Sequence, residues 1–318
     1  MPKNEAYVSV NMQSRGLRKK GSELHMSTIK MWLSINQFHA YRRLILVAVL
    51  WCFAFTPKAF SQQEPILETN VNSFEELTFN RPSVFDGSSY IEAGYSFDSL
   101  TNNYANWNSE YLNLFMPLHE KGLVNVQLQN ANRYSQSDQD INLTYAYPFS
   151  YGILNINGGY SPNGHFLPQN TVGAEWDGRL PENFGYIFGA NQKQFSSFYS
   201  NASTNAYNLG LEKYISNFRF AYVGSISSIN RQQGSYASKV QAQWVGESNN
   251  RLGVTFAQGI EPTVVGLNQL AVIQFNYVQI DSLYWITKDF GITSALWHGK
   301  EGSYYQRNGG QIGVRLNF

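Results

Sequence analysis

The 318 residues contain a single cysteine, Cys52, in an apolar run near the N-terminus. One thiol excludes a disulfide framework and a Cys-ligated zinc centre. Charge is scarce as well: Asp, Glu, Lys and Arg together make up 14%, against about 25% in ordinary soluble domains. No apolar stretch is long enough for a membrane helix. The run LILVAVLWCFAF (44–55) has twelve uncharged residues, short of the roughly 20 that such a span needs. HExxH, a P-loop and Gly-x-Ser-x-Gly are all missing, so the zinc-protease, nucleotide-hydrolase and serine-hydrolase signatures do not apply. Neither a metal nor another cofactor is expected.

What the chain has instead is aromatic side chains, 15% of the total, and uncharged polarity from Asn, Gln, Ser, Gly and Tyr. Its mean hydropathy is nonetheless negative. A chain that is aromatic, ion-poor and hydrophilic on average suggests strands with one greasy and one wet face. A membrane barrel satisfies that description, and so does a soluble lectin-like sandwich.

The N-terminus bears on the compartment. Arg42 and Arg43 precede the apolar run, and Ala59-Phe60-Ser61 fits the small-x-small rule for signal cleavage. Residues 1–61 are therefore expected to be a cleaved signal peptide, with Gln62 as the mature start. The 41 residues before Arg42 exceed an ordinary leader, so Met26 or Met31 is an alternative start, or else the leader is extended. In VLWC a Trp occupies the small-residue slot of a lipoprotein signal, which argues against a lipid anchor. The leader holds nine of the 23 basic residues and two of the 22 acidic ones, so 14 and 20 remain, a net charge of −6. That balance gives no footprint for nucleic acid.

Residues 62–87 are polar, acidic and turn-rich, and are expected to form a periplasmic extension. From residue 88 to 318 the alternation has period two, with no sustained helical period. In LVNVQLQ, for example, Val124, Val126 and Leu128 oppose Asn125, Gln127 and Gln129. Tight turns fall near 119–122, 148–151, 181–184, 216–217, 247–250 and 281–282. Longer connections lie between them: DSLTNNYAN, YSQSDQD, SPNGHFLPQN, SSFYSNASTN, NRQQGSY, GIEPTVVG and HGKEGSYYQR. Short and long connections alternate throughout, as in a barrel with short periplasmic turns and longer outer loops. The strands are about twice the five to six residues usual in a sandwich and match the nine to eleven of a tilted membrane strand. Tyr145, Tyr147, Phe149 and Tyr151 near one turn, and Trp297, Tyr304 and Tyr305 near one loop, read as interfacial girdles. The fold expected is an all-β, antiparallel, up-and-down transmembrane barrel of about 14 strands, with 12 to 16 allowed. Lys288 and Asp289 make 283–297 its least regular strand.

The final strand alternates to the last residue. Ile312, Val314, Leu316 and Phe318 share one face, and Gln311, Gly313, Arg315 and Asn317 the other. A closed barrel needs such a strand, because an open edge in lipid leaves its amides unpaired. The pattern also resembles the C-terminal signature of outer-membrane proteins. That resemblance implies that the barrel-assembly machinery reads those four apolar residues during biogenesis. SPNGHFLPQNTVGAEWDGRLPENFGYIFGANQKQF, YNLGLEKYISNFRFAYVGSIS and YYQRNGGQIGVRLNF together resemble YaiO-type outer-membrane β-barrels over about residues 90–318. The resemblance implies this architecture, a bacterial outer-membrane location and contact with lipid and lipopolysaccharide. It brings no catalytic residues, and it leaves the oligomeric state open.

In GAEWDGR, Glu175, Asp177 and Arg179 share a face opposite Trp176. A charge on the lipid face costs roughly 2–4 kcal/mol at midplane for Lys or Arg, so these residues are expected to face the lumen, as a pore lining or a space-filling ion-pair network. Glu92, Glu110, Lys193, Glu212, Arg219, Lys239, Arg251 and Arg315 belong to the same class. Three histidines follow the leader: His119, His165 and His298. His165, four residues after Ser161, is the one candidate for an outer-rim hydrolase, a role that requires a partner within hydrogen-bond reach. An exposed loop histidine is the plainer reading. The function expected is a non-enzymatic, porin-like channel for small polar solutes or envelope saccharides. The alternative is a structural or adhesive barrel whose lumen is plugged, with 62–87 as a candidate plug.

Overall fold

The computed structural model describes residues 88–102, 104–118, 122–230, 232–246, 249–266 and 269–318. The expected leader and the 62–87 extension lie outside the described residues, as does His119. Fourteen strands follow one another: β1 (Tyr90–Leu100), β2 (Trp107–Pro117), β3 (Leu123–Arg133), β4 (Gln136–Phe149), β5 (Gly152–Tyr160), β6 (Asn170–Leu180), β7 (Phe184–Gln194), β8 (Ser203–Ile215), β9 (Phe218–Ile229), β10 (Gln232–Val245), β11 (Arg251–Gly266), β12 (Gln269–Trp285), β13 (Phe290–Glu301) and β14 (Tyr305–Asn317). Each pairs antiparallel with the next, and β14 returns to β1, so the sheet is a closed barrel.

Closure is complete along the seam. Tyr90 stands opposite Asn317, Leu100 stands opposite Arg307, and every residue between is paired. The Phe318 amide then donates to the Ser89 carbonyl at 2.8 Å. With the ring closed, strand edges that would template aggregation or leave amides unpaired in lipid are gone.

The two faces separate by chemistry. Outward side chains include Phe188, Leu209, Leu211, Ile226, Leu296 and Ile312, all more than half exposed. So broad an apolar surface has no place in water and is the lipid face of a membrane barrel. Inward positions include Glu92, Asp98, Glu175, Glu212, Arg219, Lys239, Arg307 and Arg315, all buried. At the end where β4 meets β5, Tyr147, Phe149 and Trp176 form a continuous outward aromatic run, with ring centroids 4.9 and 5.5 Å apart. Trp297 and Tyr305 do not join a girdle. Both face inward and are buried.

The connections differ between the ends, though less simply than the sequence predicts. At one end, here the turn end, all six hairpins are short. The last is formed by 286–289 rather than 281–282. Lys288 and Asp289 are the turn itself, while Asp281 and Ser282 lie inside the 17-residue β12, with Asp281 opposite Ala295. A lumen-facing carboxylate and a turn-forming one look alike in sequence. At the other end, the loop end, only three connections are long: 101–106, 161–169 and 195–202. YSQSDQD is mostly strand. β3 and β4 join through Tyr134 and Ser135, both left-handed with φ of 50° and 58°, a two-residue hairpin turn. GIEPTVVG lies wholly in β11. Strands continue beyond the apolar band, where outward residues such as Asn276, Lys300 and Gln306 are polar. Alternation fades there although the ladder does not.

Candidate functional site

Two long loops fold over the loop end. Phe166 and Leu167 from 161–169 pack with Phe195, Tyr199 and Ala202 from the 195–202 segment, and this cluster reaches Ala131 on β3 and Val264 on β11. Those strands stand on opposite sides of the ring, so the cluster spans the mouth as an apolar lid. Its anchor is Asp138, an inward residue of β4 with no exposure at all. The carboxylate accepts backbone N–H groups of His165, Phe166 and Leu167 at 3.0, 2.8 and 2.8 Å. His165 Nδ1 lies a further 2.8 Å away. Successive backbone N–H groups converging on one anion make a nest, and ionisation strengthens each bond. The second loop is tied to the first. Ser196 Oγ donates to the Gly164 carbonyl at 2.7 Å and Tyr199 Oη to the His165 carbonyl at 2.5 Å.

Within the lumen a cavity of about 240 Å³ runs along the inner faces of β1–β4 and β10–β14. Its lining is rich in amides and hydroxyls, among them Asn113, Asn125, Gln127, Gln243, Gln279 and Gln311. Charges enter mainly as pairs across the β1/β14 seam. Arg307 holds Asp98 by two bonds, Nε to Oδ1 at 2.7 Å and Nη2 to Oδ2 at 2.9 Å. Arg315 holds Glu92, with Nε 2.6 Å from Oε2. Arg251, Arg133 and Asp281 complete the charged lining. Trp297 Nε1 also donates to Asp98, at 2.6 Å. Tyr111 donates to Glu92 at 2.7 Å and accepts from Gln311 at 2.8 Å. Its ring lies so close over Gly94 and Gly313 that a Cβ at Gly94 would come within 2.4 Å of it, and one at Gly313 within 2.6 Å of its hydroxyl. Those two mid-strand glycines make the room for Tyr111.

The opposite wall of the lumen is packed. Arg219 and Glu212 form a buried pair at 2.9 Å, beside inward Ile187 and Val223, which are almost fully buried. Asn155 donates to Asp177 at 2.8 Å.

A model of the YaiO membrane beta barrel domain matches residues 88–263. The chain belongs to the YaiO family. The match runs from the start of β1 through most of β11 and stops before β12–β14, so eleven of the 26 residues that line the cavity in this YaiO barrel, including Trp297, Arg307 and Arg315, lie beyond it. Among solved structures the chain resembles OmpT of Vibrio cholerae, with 8% identity, a TM-score of 0.41 and coverage of 72% of this chain and 98% of that one. An anion-selective porin from Comamonas acidovorans gives 7%, 0.40, 73% and 99%. The outer membrane protein Omp33 of Acinetobacter baumannii gives 13%, 0.43, 73% and 99%. No curated protein matches the sequence.

The sequence candidates fall in different places. Glu92 and Arg315 meet each other and line the cavity. Glu175, Asp177 and Lys239 face inward and are buried, but they do not line it. Arg179, two residues beyond Asp177 on the same face, is exposed at the turn end. Glu110 points outward, beside Tyr95 and in phase with Leu112; its charge suggested the lumen, but the inward slot belongs to Tyr111. Ile312, Val314 and Phe318 are exposed on the outer face. The hydrolase pair is not formed. Ser161 is fully buried and its Oγ has no hydrogen bond among the described residues, while His165 is turned to Asp138. Asp98, Asp138 and Arg307 were missed as lumen residues because each fell in a segment assigned to a loop. The same parity rule, carried three or four residues further along each strand, identifies them.

Proposed function

We propose that this YaiO barrel is an outer-membrane channel for small polar solutes, exported by its N-terminal leader, with a mouth that the two infolded loops close. The observation that carries the reading is the amide-lined cavity inside the lumen. A barrel serving only as a rigid anchor has no use for uncharged hydrogen-bonding groups lining a cavity, whereas a path for polar solutes does. The lid makes the described conformation a closed one. Opening then requires release of the 161–169 loop from Asp138.

The test is planar-bilayer recording of the protein purified from outer membranes, beside Asp138→Ala and a deletion of 162–168. Removing the carboxylate leaves three backbone N–H groups without their acceptor, at about 1–3 kcal/mol each, enough to free the loop. Wild type is expected to conduct rarely and both variants in larger, more frequent steps. Silence in all three would sink the channel. The apolar lid gives that outcome its own reading, a sealed structural barrel.

A further inference from the structure

We infer that the turn-end half of the lumenal cavity binds an anionic group of the solute, a carboxylate or a phosphate, with Arg251 as its contact. The inference rests on the solute-channel reading and gives the solute its charge.

The cavity lining carries four guanidinium groups, those of Arg133, Arg251, Arg307 and Arg315, against the three carboxylates of Glu92, Asp98 and Asp281. Two of the four are taken: Arg307 holds Asp98 and Arg315 holds Glu92. Arg133 belongs to the loop end, where it lies over the rings of Trp107 and Phe166 at 4.9 and 5.4 Å from their centroids. Arg251 is different. It opens β11 at the turn end, opposite Val245 on β10 and Leu283 on β12. Its side chain points inward, in phase with buried Gly253, Thr255 and Ala257. Among the described residues it makes no hydrogen bond and no ion pair. Arg307 and Arg315 are buried in the wall, whereas Arg251 is partly exposed and lines the cavity. A side chain ending in five N–H donors is thus open to a solute.

The charges that act on Arg251 are those of Arg315, Glu92 and Asp281. Glu92 is already bound by Arg315. Asp281, opposite Gly253, is not in ion-pair contact with Arg251. A cation without an acceptor, beside a second cation and walled by protein, is costly, and an anion removes that cost. The planar guanidinium fork matches the oxygens of a carboxylate or phosphate. A cationic solute meets repulsion there, and a neutral one forgoes the charge-assisted bond. Glu175, Asp177 and Glu212 stand outside the cavity lining, on the packed wall.

Glucuronate, glucose 6-phosphate, glucose and glucosamine share one ring and differ in charge. Calorimetric titration of the detergent-solubilised full protein at fixed ionic strength should show at least one of the two anions binding about tenfold or more tighter than glucose and glucosamine. The tighter of the two names the anionic group. Arg251→Gln should bring that anion down to the level of glucose. If the variant fails to fold, judged by its heat-dependent gel shift, Gln243→Glu takes its place. Gln243 lines the cavity diagonally across the ladder from Arg251, so a carboxylate there supplies the missing acceptor and should abolish the preference. Arg179→Ala, an arginine exposed at the turn end, should change nothing. In planar bilayers, adding Arg251→Gln to the 162–168 deletion should move the reversal potential in a potassium chloride gradient toward that of potassium. The proposal is overturned if neither anion binds better than glucose, which would mean that water alone meets Arg251. It is also overturned if the variants at 251 or 243 bind the anions as wild type does, or if the reversal potential stays where it was. Anion binding without conductance in any variant would keep this site and remove the channel. Conductance without anion binding would do the reverse.

Discussion

The lumen has two walls built on one principle and finished differently. On both, carboxylates and guanidinium groups from neighbouring strands pair inside the barrel: Glu92 with Arg315 at the seam, and Glu212 with Arg219 across β8 and β9. Around Glu212 the remaining inward positions carry Ile187, Ala221 and Val223, all buried, and the space is filled. Around Glu92 they carry Ser96, Gln311 and the glycines 94 and 313, and a cavity stays. The pairs therefore hold the strands in both halves, and the size and polarity of their neighbours decide where the lumen keeps a cavity. Burying a pair gives little net stability, because desolvation offsets most of the attraction. Breaking one is costly, since it strands a charge.

The largest effect should follow from breaking the seam. Arg315→Ala leaves Glu92 buried beside Thr293, and loss of one partner of a buried pair costs about 3–5 kcal/mol. Urea denaturation of the protein in detergent should show that drop, and Glu92→Ala should match it. A middling effect is expected at Gly94. Gly94→Ala drives a methyl into the Tyr111 ring, and overpacking of this kind costs about 1–3 kcal/mol. Conductance should change with it, as Tyr111 is pushed into the cavity. The smallest change separates the two walls most clearly. Replacing Glu212 and Arg219 together by Leu and Met should be neutral or stabilising by about 1–4 kcal/mol, as for buried pairs exchanged for well-packed apolar residues, and should leave conductance as it was. If the double variant alters single-channel current, the packed wall belongs to the pathway and the contrast is false.

How much of this could be read from the sequence varies along each strand. Where a strand crosses lipid, outward residues must be apolar, so the alternation of Val124, Val126 and Leu128 gave strand, phase and face together. The same parity placed Arg315 inside and Ile312 to Phe318 outside. Beyond the apolar band the outward residues become polar, and the signal disappears although pairing continues. Asp98, Asp138 and Arg307 all sit in those outer reaches, and there lie one ion pair of the cavity and the anchor of the lid. The lid was illegible for a second reason. Phe166 and Leu167 flank turn residues in SPNGHFLPQN, and nothing local states that their partners stand on β3 and β11. The plug expected from 62–87 has a counterpart in loops whose apolar residues the sequence showed but could not place.

The seam also has a meaning in time. Thirteen of the fourteen strand pairings join consecutive strands, so each needs only a hairpin-sized stretch of chain to meet. The fourteenth joins residues 223 positions apart, as Glu92 and Arg315 are. The entropy of bringing chain ends together rises with the length between them, and contacts so distant form late. Closure is thus one event, separate from the laying down of hairpins, and it is the step at which Asp98, Glu92 and Tyr111 first acquire their partners on β14. Until it occurs the cavity has no fourth side, and a ring with the wrong register would leave two carboxylates buried without their guanidinium groups. The two pairs that line the cavity are thus satisfied only in the native register of the seam.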